Sequence, residues 1–99
     1  MSVLVVTRDR GDTATFRKML DERADDFTRF ADEAKANGAV HHRFGLGDGF
    51  VLIVDEWETA EQFQAFMARP ELQAFIAASG GSGPPEVTIT EAIASPDQF

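Results

Sequence analysis

The sequence of 99 residues contains no cysteine and no tyrosine, and it has a single tryptophan. The absence of cysteine excludes disulfide bonds, thiolate chemistry and metal sites built from thiolate ligands. Nine basic residues stand against 17 acidic ones, which gives a net charge of −8, and the bases are scattered. Because phosphate binding requires clustered Lys and Arg, we expect neither nucleic acid nor an anionic membrane as a partner.

Long apolar segments are also missing from the sequence. No stretch approaches the roughly 20 residues of a membrane span, and the N-terminal segment MSVLVVTRDR lacks the basic start of a signal peptide. The sequence therefore predicts a cytoplasmic protein. A chain of this length is expected to form one domain over residues 1–99, with a core that uses its nine phenylalanines.

The most informative stretch is residues 50–66, FVLIVDEWETAEQFQAF. Its five leading apolar residues predict a strand with apolar side chains on both faces. Thr59 stands three residues before Gln62, a spacing that indicates the start of a helix. Pro70 is predicted to interrupt this helix and to restart it. The pair Gly80-Gly81 is predicted to end the helical region.

The rest of the chain supplies the elements around this strand. Residues 3–6 predict a second doubly apolar strand. Asp12 is the predicted N-cap of one long helix that ends at about Asn37, with Thr13 and Thr15 as further candidates for that role. Residues 39–44 predict a third strand, joined to the central one by a hairpin turn over residues 45–49 that contains the Asp-Gly signal at 48–49. Alternating polarity over residues 86–94 predicts the last strand. The predicted buried face of the long helix consists of Phe16, Leu20, Ala24, Phe27, Ala31 and Ala34, widened by Met19 and Phe30.

The order of these elements predicts an α+β, ferredoxin-like βαββαβ fold. Its compact form is a four-stranded antiparallel sheet with both helical regions on one face. The helices then cover one side only, although residues 3–6 and 50–54 are apolar on both. A bare face with those side chains would be a large exposed patch. We therefore predict a homodimer in which the sheets of two copies pack against each other.

The segment VDEWETAEQFQAFMARPELQAF resembles the signature of the antibiotic biosynthesis monooxygenase-like family of dimeric α/β barrels. In that signature a strand ends in Glu-Trp, a Ser or Thr opens a helix, and a Pro-Glu restarts it. The resemblance implies a ferredoxin-like subunit, a homodimer and a small-molecule cavity between sheet and helices. Some members oxidise aromatic polyketides with dioxygen and without metal or flavin, others degrade haem, and many have no demonstrated activity.

The haem-degrading branch of that family is disfavoured by the residues present. It requires an asparagine on the first strand, a tryptophan that closes the third strand and a histidine on the following helix. Trp57 matches the tryptophan, but Thr7 stands where the asparagine is wanted, and Phe75-Ile76 occupy the place of the histidine. Without an imidazole the iron lacks its axial ligand. We therefore expect no cofactor.

The candidate catalytic residues are His42, Asp55 and Trp57. A two-residue turn at 48–49 pairs His42 with Asp55 and His41 with Glu56, whereas a one-residue bulge would exchange these partners. His42 is the candidate base, Asp55 would orient it, and Trp57 would be a stacking wall or a hydrogen-bond donor. This register places Val40, His42, Phe44, Val51, Ile53, Asp55 and Trp57 on one face of the sheet.

Five further residues are candidates for substrate binding: His41, Arg43, Phe27, Phe30 and Phe63. Purely structural roles stay open, with the two histidines in cross-strand salt pairs and Trp57 in the core. Adjacent histidines point to opposite faces of a strand, so no metal site is expected within one subunit. A metal shared across a dimer stays open.

Three functional hypotheses follow. The first is a cofactor-independent monooxygenase that acts on a small aromatic or enolisable substrate. The second is a non-catalytic dimer that binds a small apolar ligand in the same cavity. The third is a dimer whose pocket is filled by Phe27, Phe30, Phe63 and Phe66. A cavity larger than roughly 300 Å³ with an imidazole on its wall would favour the first two.

Overall fold

The computed structural model describes residues 1–99, and its elements follow the predicted order. The strands are β1 (Val3–Arg10), β2 (Ala39–Gly47), β3 (Phe50–Trp57) and β4 (Glu86–Glu91). The helices are α1 (Thr13–Glu22), α2 (Ala24–Ala36), α3 (Ala60–Met67) and α4 (Pro70–Ala78). The strands form one antiparallel sheet in the order β2-β3-β1-β4, which is the predicted ferredoxin-like arrangement. None of the helices has the length and apolar character needed to cross a lipid bilayer.

Three predicted helix starts are confirmed. Oδ1 of Asp12 accepts hydrogen bonds from the backbone N–H groups of Ala14 and Thr15 at 3.0 and 3.4 Å. Oγ1 of Thr59 accepts from the N–H of Gln62 at 3.1 Å, which fixes the start of α3. Pro70 is the first residue of α4, where its missing N–H costs nothing.

The prediction of one long helix from Asp12 to Asn37 is wrong, because Arg23 separates α1 from α2. Its backbone, with φ −126° and ψ 36°, leaves the helical region. The Arg23 guanidinium lies over the ring of Phe75 at 4.8 Å, and its Nε is 2.7 Å from Asp26. One consequence is that Ala24, predicted on the buried face, is exposed, while Phe30 is buried in the core.

The core lies between the sheet and the helices. Its buried members are Val5, Phe30, Ala34, Trp57, Phe63, Phe66, Leu72 and Phe75. Alternation along β1 places Val5 and Thr7 on this covered face, and both are buried. Leu4 and Val6 point the other way and are exposed. The sheet therefore has one face under the helices and one bare, partly apolar face.

The predicted register between β2 and β3 is confirmed. Asp48 and Gly49 form the turn, so His42 faces Asp55 and His41 faces Glu56. A bulge does occur, but at the start of β2, between Ala39 and His41. As a result Ala39, and not Val40, pairs with Trp57 and packs on the core, while Val40 is exposed.

The last strand differs from its prediction in length and in burial. It ends at Glu91 instead of Ala94, and both of its faces are exposed. Val87 and Ile89 pair with Thr7 and Val5, which places them on the helix side of the sheet. They stay exposed because β4 is an edge strand beyond the cover of the helices.

Candidate functional site

A cavity of about 540 Å³ lies between the covered face of the sheet and the helices. Its wall is mainly apolar and is formed largely by aromatic and aliphatic side chains. Members of this wall include Phe16, Leu20, Phe27, Phe30, Phe44, Val51, Ile53, Phe66, Leu72, Phe75 and Ile76. The hypothesis of a pocket filled by phenylalanines is therefore wrong. The volume falls within the range of pockets that hold drug-sized ligands.

A hydrogen-bonded chain of three side chains stands on the wall of this cavity. Nδ1 of His42 lies 2.7 Å from Oδ1 of Asp55, and Nε1 of Trp57 donates to Oδ2 of the same carboxylate at 3.1 Å. The side chain of Asp55 is 10% exposed, whereas that of His42 is 41% exposed. Both oxygens of Asp55 are thus engaged, and the imidazole reaches solvent-accessible space.

The geometry of the chain follows from the register of β2 on β3. His42 and Asp55 are directly opposite each other, and Trp57 is two residues further along the same face of β3. The ring of Phe44 lies edge-on to the His42 imidazole, with centroids 4.6 Å apart. The rings of Phe63 and Phe66 flank Trp57 at 5.8 and 5.5 Å. These ring contacts therefore limit the motion of the His42 imidazole and the Trp57 indole.

This arrangement selects one tautomer of His42. A carboxylate oxygen accepts hydrogen bonds, so the Nδ1 atom facing Asp55 carries a proton. In the neutral imidazole Nε2 is then the acceptor, and Nε2 has no hydrogen-bond partner within the chain. An acceptor nitrogen held in place beside a carboxylate is the arrangement of a general base, because the carboxylate stabilises the charge that the imidazole gains.

The structure brings together all three candidate catalytic residues, but not all candidates for substrate binding. Phe27 and Phe30 line the cavity. Phe63 does not, because its ring is buried against Trp57. Arg43 does not line it either, since it pairs with Val54 on the opposite face of the sheet. His41 contributes to the cavity wall, although its partner in the register is Glu56 on that opposite face.

Sequence analysis missed Asp9, which lines the opposite end of the cavity. Burial raises the pKa of its carboxyl group above the ordinary value. The signal was present in the sequence, because Asp9 continues the alternation of Val5 and Thr7 along β1. The predicted strand covers residues 3–6 only, whereas β1 continues to Arg10 and carries Asp9 on its covered face.

No three side chains of His, Cys, Asp or Glu lie close enough together to hold a metal ion. The two histidines illustrate this. His42 faces Asp55 on the covered side of the sheet, and His41 faces Glu56 on the bare side. Each imidazole therefore has one carboxylate opposite it.

The same arrangement of sheet and helices occurs in solved structures. SnoaB, a cofactor-independent oxygenase from Streptomyces nogalater, aligns over 98% of both chains with a TM-score of 0.67 and 19% identity. The chain has the fold of the antibiotic biosynthesis monooxygenases. A monooxygenase from the gene ActVA-Orf6 of Streptomyces coelicolor, solved with the ligand nanaomycin D, aligns over 95% of this chain and 89% of its own. Its TM-score is 0.66 and its identity 17%.

A further structure with this fold, described as an antibiotic biosynthesis monooxygenase, aligns over 93% of this chain and 99% of its own, with a TM-score of 0.65 and 9% identity. No family model matches the chain, and no curated protein matches it in sequence. The TM-scores establish the shared fold, and at identities this low they establish the fold alone. Activity has to be argued from the site, because one fold hosts many functions.

Proposed function

We propose that the protein is a cofactor-independent monooxygenase that acts on a small aromatic or enolisable substrate. The observation that carries this proposal is the chain His42–Asp55–Trp57 on the wall of a largely apolar cavity of about 540 Å³. A base in an apolar pocket is suited to removing a weakly acidic proton from an aromatic ligand. The shared fold with SnoaB, itself a cofactor-independent oxygenase, supports the same reaction class.

In the proposed reaction Nε2 of His42 accepts a proton from an acidic C–H or phenolic O–H group of the substrate. Asp55 stabilises the resulting imidazolium, and Trp57 holds Asp55 in position. The substrate anion is electron-rich and reduces dioxygen directly. For a CH₂ group activated by conjugation with a ketone through an aromatic ring, the carbon becomes C=O, one oxygen atom enters the product and the other leaves as water. The substrate supplies all four electrons, so the reaction balances without a further reductant.

We also propose that the protein works as a homodimer. The bare face of the sheet carries Leu4, Val6 and Val54 side by side, because Val6 pairs with Val54 across β1 and β3. All three are exposed in the single chain, and the neighbouring Leu52 is half-buried. Burying several such side chains against a second copy would contribute on the order of 1.5–3 kcal/mol each. This is the kind of self-complementary surface that two-fold dimers use.

Turnover of an enolisable aromatic ketone such as anthrone, in buffer treated with a chelator, tests the enzymatic proposal. We expect oxygen uptake and, with ¹⁸O₂, one labelled atom in the product. His42→Ala should lower the rate by at least 10²-fold. The matched comparison is His41→Ala, which changes the adjacent imidazole and should lower the rate by less than tenfold.

The alternative function is that of a non-catalytic protein that binds a small apolar ligand, which the same cavity wall favours. A binder would take up the aromatic ketone without consuming oxygen, and His42→Ala would alter affinity only. Calorimetric binding together with an unchanged oxygen level would therefore exclude the monooxygenase proposal and support this alternative.

A further inference from the structure

The two ends of the cavity differ in charge. His42, Asp55 and Lys35 line the end where α2 leads into β2, so the Asp55 carboxylate has a cation and an imidazole at the same end. Lys35 is the only Lys or Arg side chain on the cavity wall. Asp9 and Asp12 line the other end, together with the backbone of Gly80 and Gly81. The two bases next to Asp9 along the chain, Arg8 and Arg10, point to the bare face of the sheet. There Arg8 lies over the ring of Phe50 at 3.9 Å, and Arg10 pairs with Glu86 at 3.7 Å.

The carboxylate of Asp9 has no partner of its own. It makes neither a hydrogen bond nor an ion pair within the chain, whereas the Asp12 carboxylate is occupied by the N-terminus of α1. Partial burial raises the pKa of Asp9, so its charged form is partly desolvated. A partly desolvated carboxylate without a donor is a ready acceptor for a ligand.

Closely packed glycine backbone lies around Asp9 at this end of the cavity. Gly81 lies beside the carboxylate, and a Cβ at that position would lie 3.3 Å from Oδ2. Gly11 and Gly81 form a bridge between the ends of two segments, and a Cβ on Gly11 would lie 2.1 Å from the carbonyl oxygen of Gly80. Backbone atoms therefore close this end of the cavity. Asp9 is the charged side chain that faces this end and has no hydrogen-bond or ion-pair partner.

We propose that Asp9 determines specificity at this end of the cavity. It accepts a hydrogen bond from the distal hydroxyl or ammonium group of an aromatic ligand and disfavours ligands with a carboxylate there. The inference rests on the proposed function only in assuming that the same cavity takes the substrate. It adds the class of substrate, namely an elongated aromatic molecule with a hydrogen-bond donor remote from the reacting group.

The register of the sheet sets the length of this ligand. Asp9 pairs with Val51, four residues before Asp55, which corresponds to roughly 13 Å along the strand. His42 is two strands away from β1, so the backbones of Asp9 and His42 are roughly 16 Å apart. Both side chains stand roughly perpendicular to the same face of the sheet, so their polar ends are separated by about the same distance. Two hydrogen bonds of roughly 2.8 Å each leave roughly 10 Å between the end atoms of the ligand. Two aromatic rings linked end to end have about this length.

Three rigid biphenyls test the proposal by isothermal titration calorimetry at pH 7. Each has a phenol at one end, and the other end is a hydroxyl, an aminomethyl or a carboxylate group. We expect the hydroxyl and aminomethyl probes to bind at least tenfold more tightly than the carboxylate probe. A clear advantage of the aminomethyl over the hydroxyl probe would identify a cationic group as the preferred partner, and equal affinities a neutral donor.

The variant Asp9→Asn keeps the shape of the side chain and removes its charge. We expect Asp9→Asn to reduce the preference for the hydroxyl and aminomethyl probes over the carboxylate probe to less than threefold. The control Asp48→Asn makes the same change in the exposed turn between β2 and β3 and should keep the full preference. The proposal is overturned if Asp9→Asn keeps the preference, or if the hydroxyl probe does not bind up to its solubility limit.

Failure of this proposal is distinguishable from failure of the proposed monooxygenase. His42→Ala removes the base but leaves Asp9 in place, so it should abolish oxygen uptake and retain the preference among the probes. If the parent protein discriminates among the probes through Asp9 but never consumes oxygen, the inference on Asp9 is supported and the monooxygenase proposal is excluded. If oxygen uptake depends on His42 but Asp9→Asn does not change the preference among the probes, the monooxygenase proposal is supported and the inference on Asp9 is overturned.

Discussion

Oδ1 of Asp55 lies 2.7 Å from Nδ1 of His42, and its Oδ2 accepts a hydrogen bond from Nε1 of Trp57 at 3.1 Å. One nearly buried carboxylate therefore joins an imidazole that reaches the cavity to an indole in the core. The indole fixes the carboxylate, and the carboxylate fixes the tautomer of the imidazole. The candidate site thus depends on packing in the core as well as on its polar atoms.

Asp55→Asn tests the role of the carboxylate in catalysis. The amide has nearly the same shape but carries no charge to stabilise an imidazolium on His42. We expect kcat for the aromatic ketone to fall by about 10²-fold or more, with KM changed less than threefold. Steady-state oxygen uptake measures both constants. Retention of more than a tenth of kcat would show that Asp55 has only a structural role, and Asp48→Asn serves as the control.

Trp57→Phe tests whether the indole holds Asp55 in place. The variant keeps an aromatic ring between Phe63 and Phe66 but leaves Oδ2 of a nearly buried carboxylate without its donor. We expect the free energy of unfolding to decrease by about 1–3 kcal/mol. Urea denaturation measures this change, and a double-mutant cycle with Asp55→Ala separates the hydrogen bond from the loss of ring volume. A coupling energy near zero would argue against the role proposed for Trp57.

The pairing that builds this site was predictable from the sequence. The turn at Asp48-Gly49 fixes the register, and the register then decides which carboxylate each histidine faces. The bulge at Val40 and the break at Arg23 were not predictable, because neither position has a Gly or Pro to mark it. The cavity was predicted only through the family resemblance. Its volume depends on how side chains from the sheet and from several helices pack together, and no local sequence pattern specifies that packing.

The bare face of the sheet gives a test of the homodimer. Val54 is 46% exposed on the bare face, and Val87 is 45% exposed on the helix side of the edge strand. The two valines are thus matched in exposure and differ in the face they occupy. We expect Val54→Asp to shift the protein to monomer in sedimentation velocity at micromolar concentration, because it places a charge in the proposed interface. Val87→Asp should leave the dimer intact. A parent protein that sediments as a monomer would contradict the proposal.

Asp9 and Asp12 are expected to affect stability with opposite signs. Burial raises the folded-state pKa of Asp9 above the ordinary 3.8. Its ionisation therefore lowers the free energy of unfolding as the pH rises from 3.8 through the raised folded-state pKa. Hydrogen bonds from the Thr15 hydroxyl and from the N–H groups of Ala14 and Thr15 lower the pKa of Asp12. Asp12 therefore contributes stability above pH 3.8 that is lost as the pH falls through its lowered folded-state pKa.

It follows that Asp9→Asn should raise Tm at pH 7 and Asp12→Ala should lower it. The Asp9→Asn difference should shrink as the pH falls from the raised folded-state pKa of Asp9 towards 3.8, where the carboxyl group becomes protonated in both states. The Asp12→Ala difference should shrink only below pH 3.8, as the pH falls through the lowered folded-state pKa of Asp12. Thermal unfolding followed by circular dichroism between pH 3 and pH 7 measures these differences. A Tm of Asp9→Asn below that of the parent at pH 7 would mean that Asp9 has a stabilising partner. That outcome would also weaken its assignment as an unpaired acceptor for a ligand, because a residue kept for binding is expected to cost stability in the empty protein.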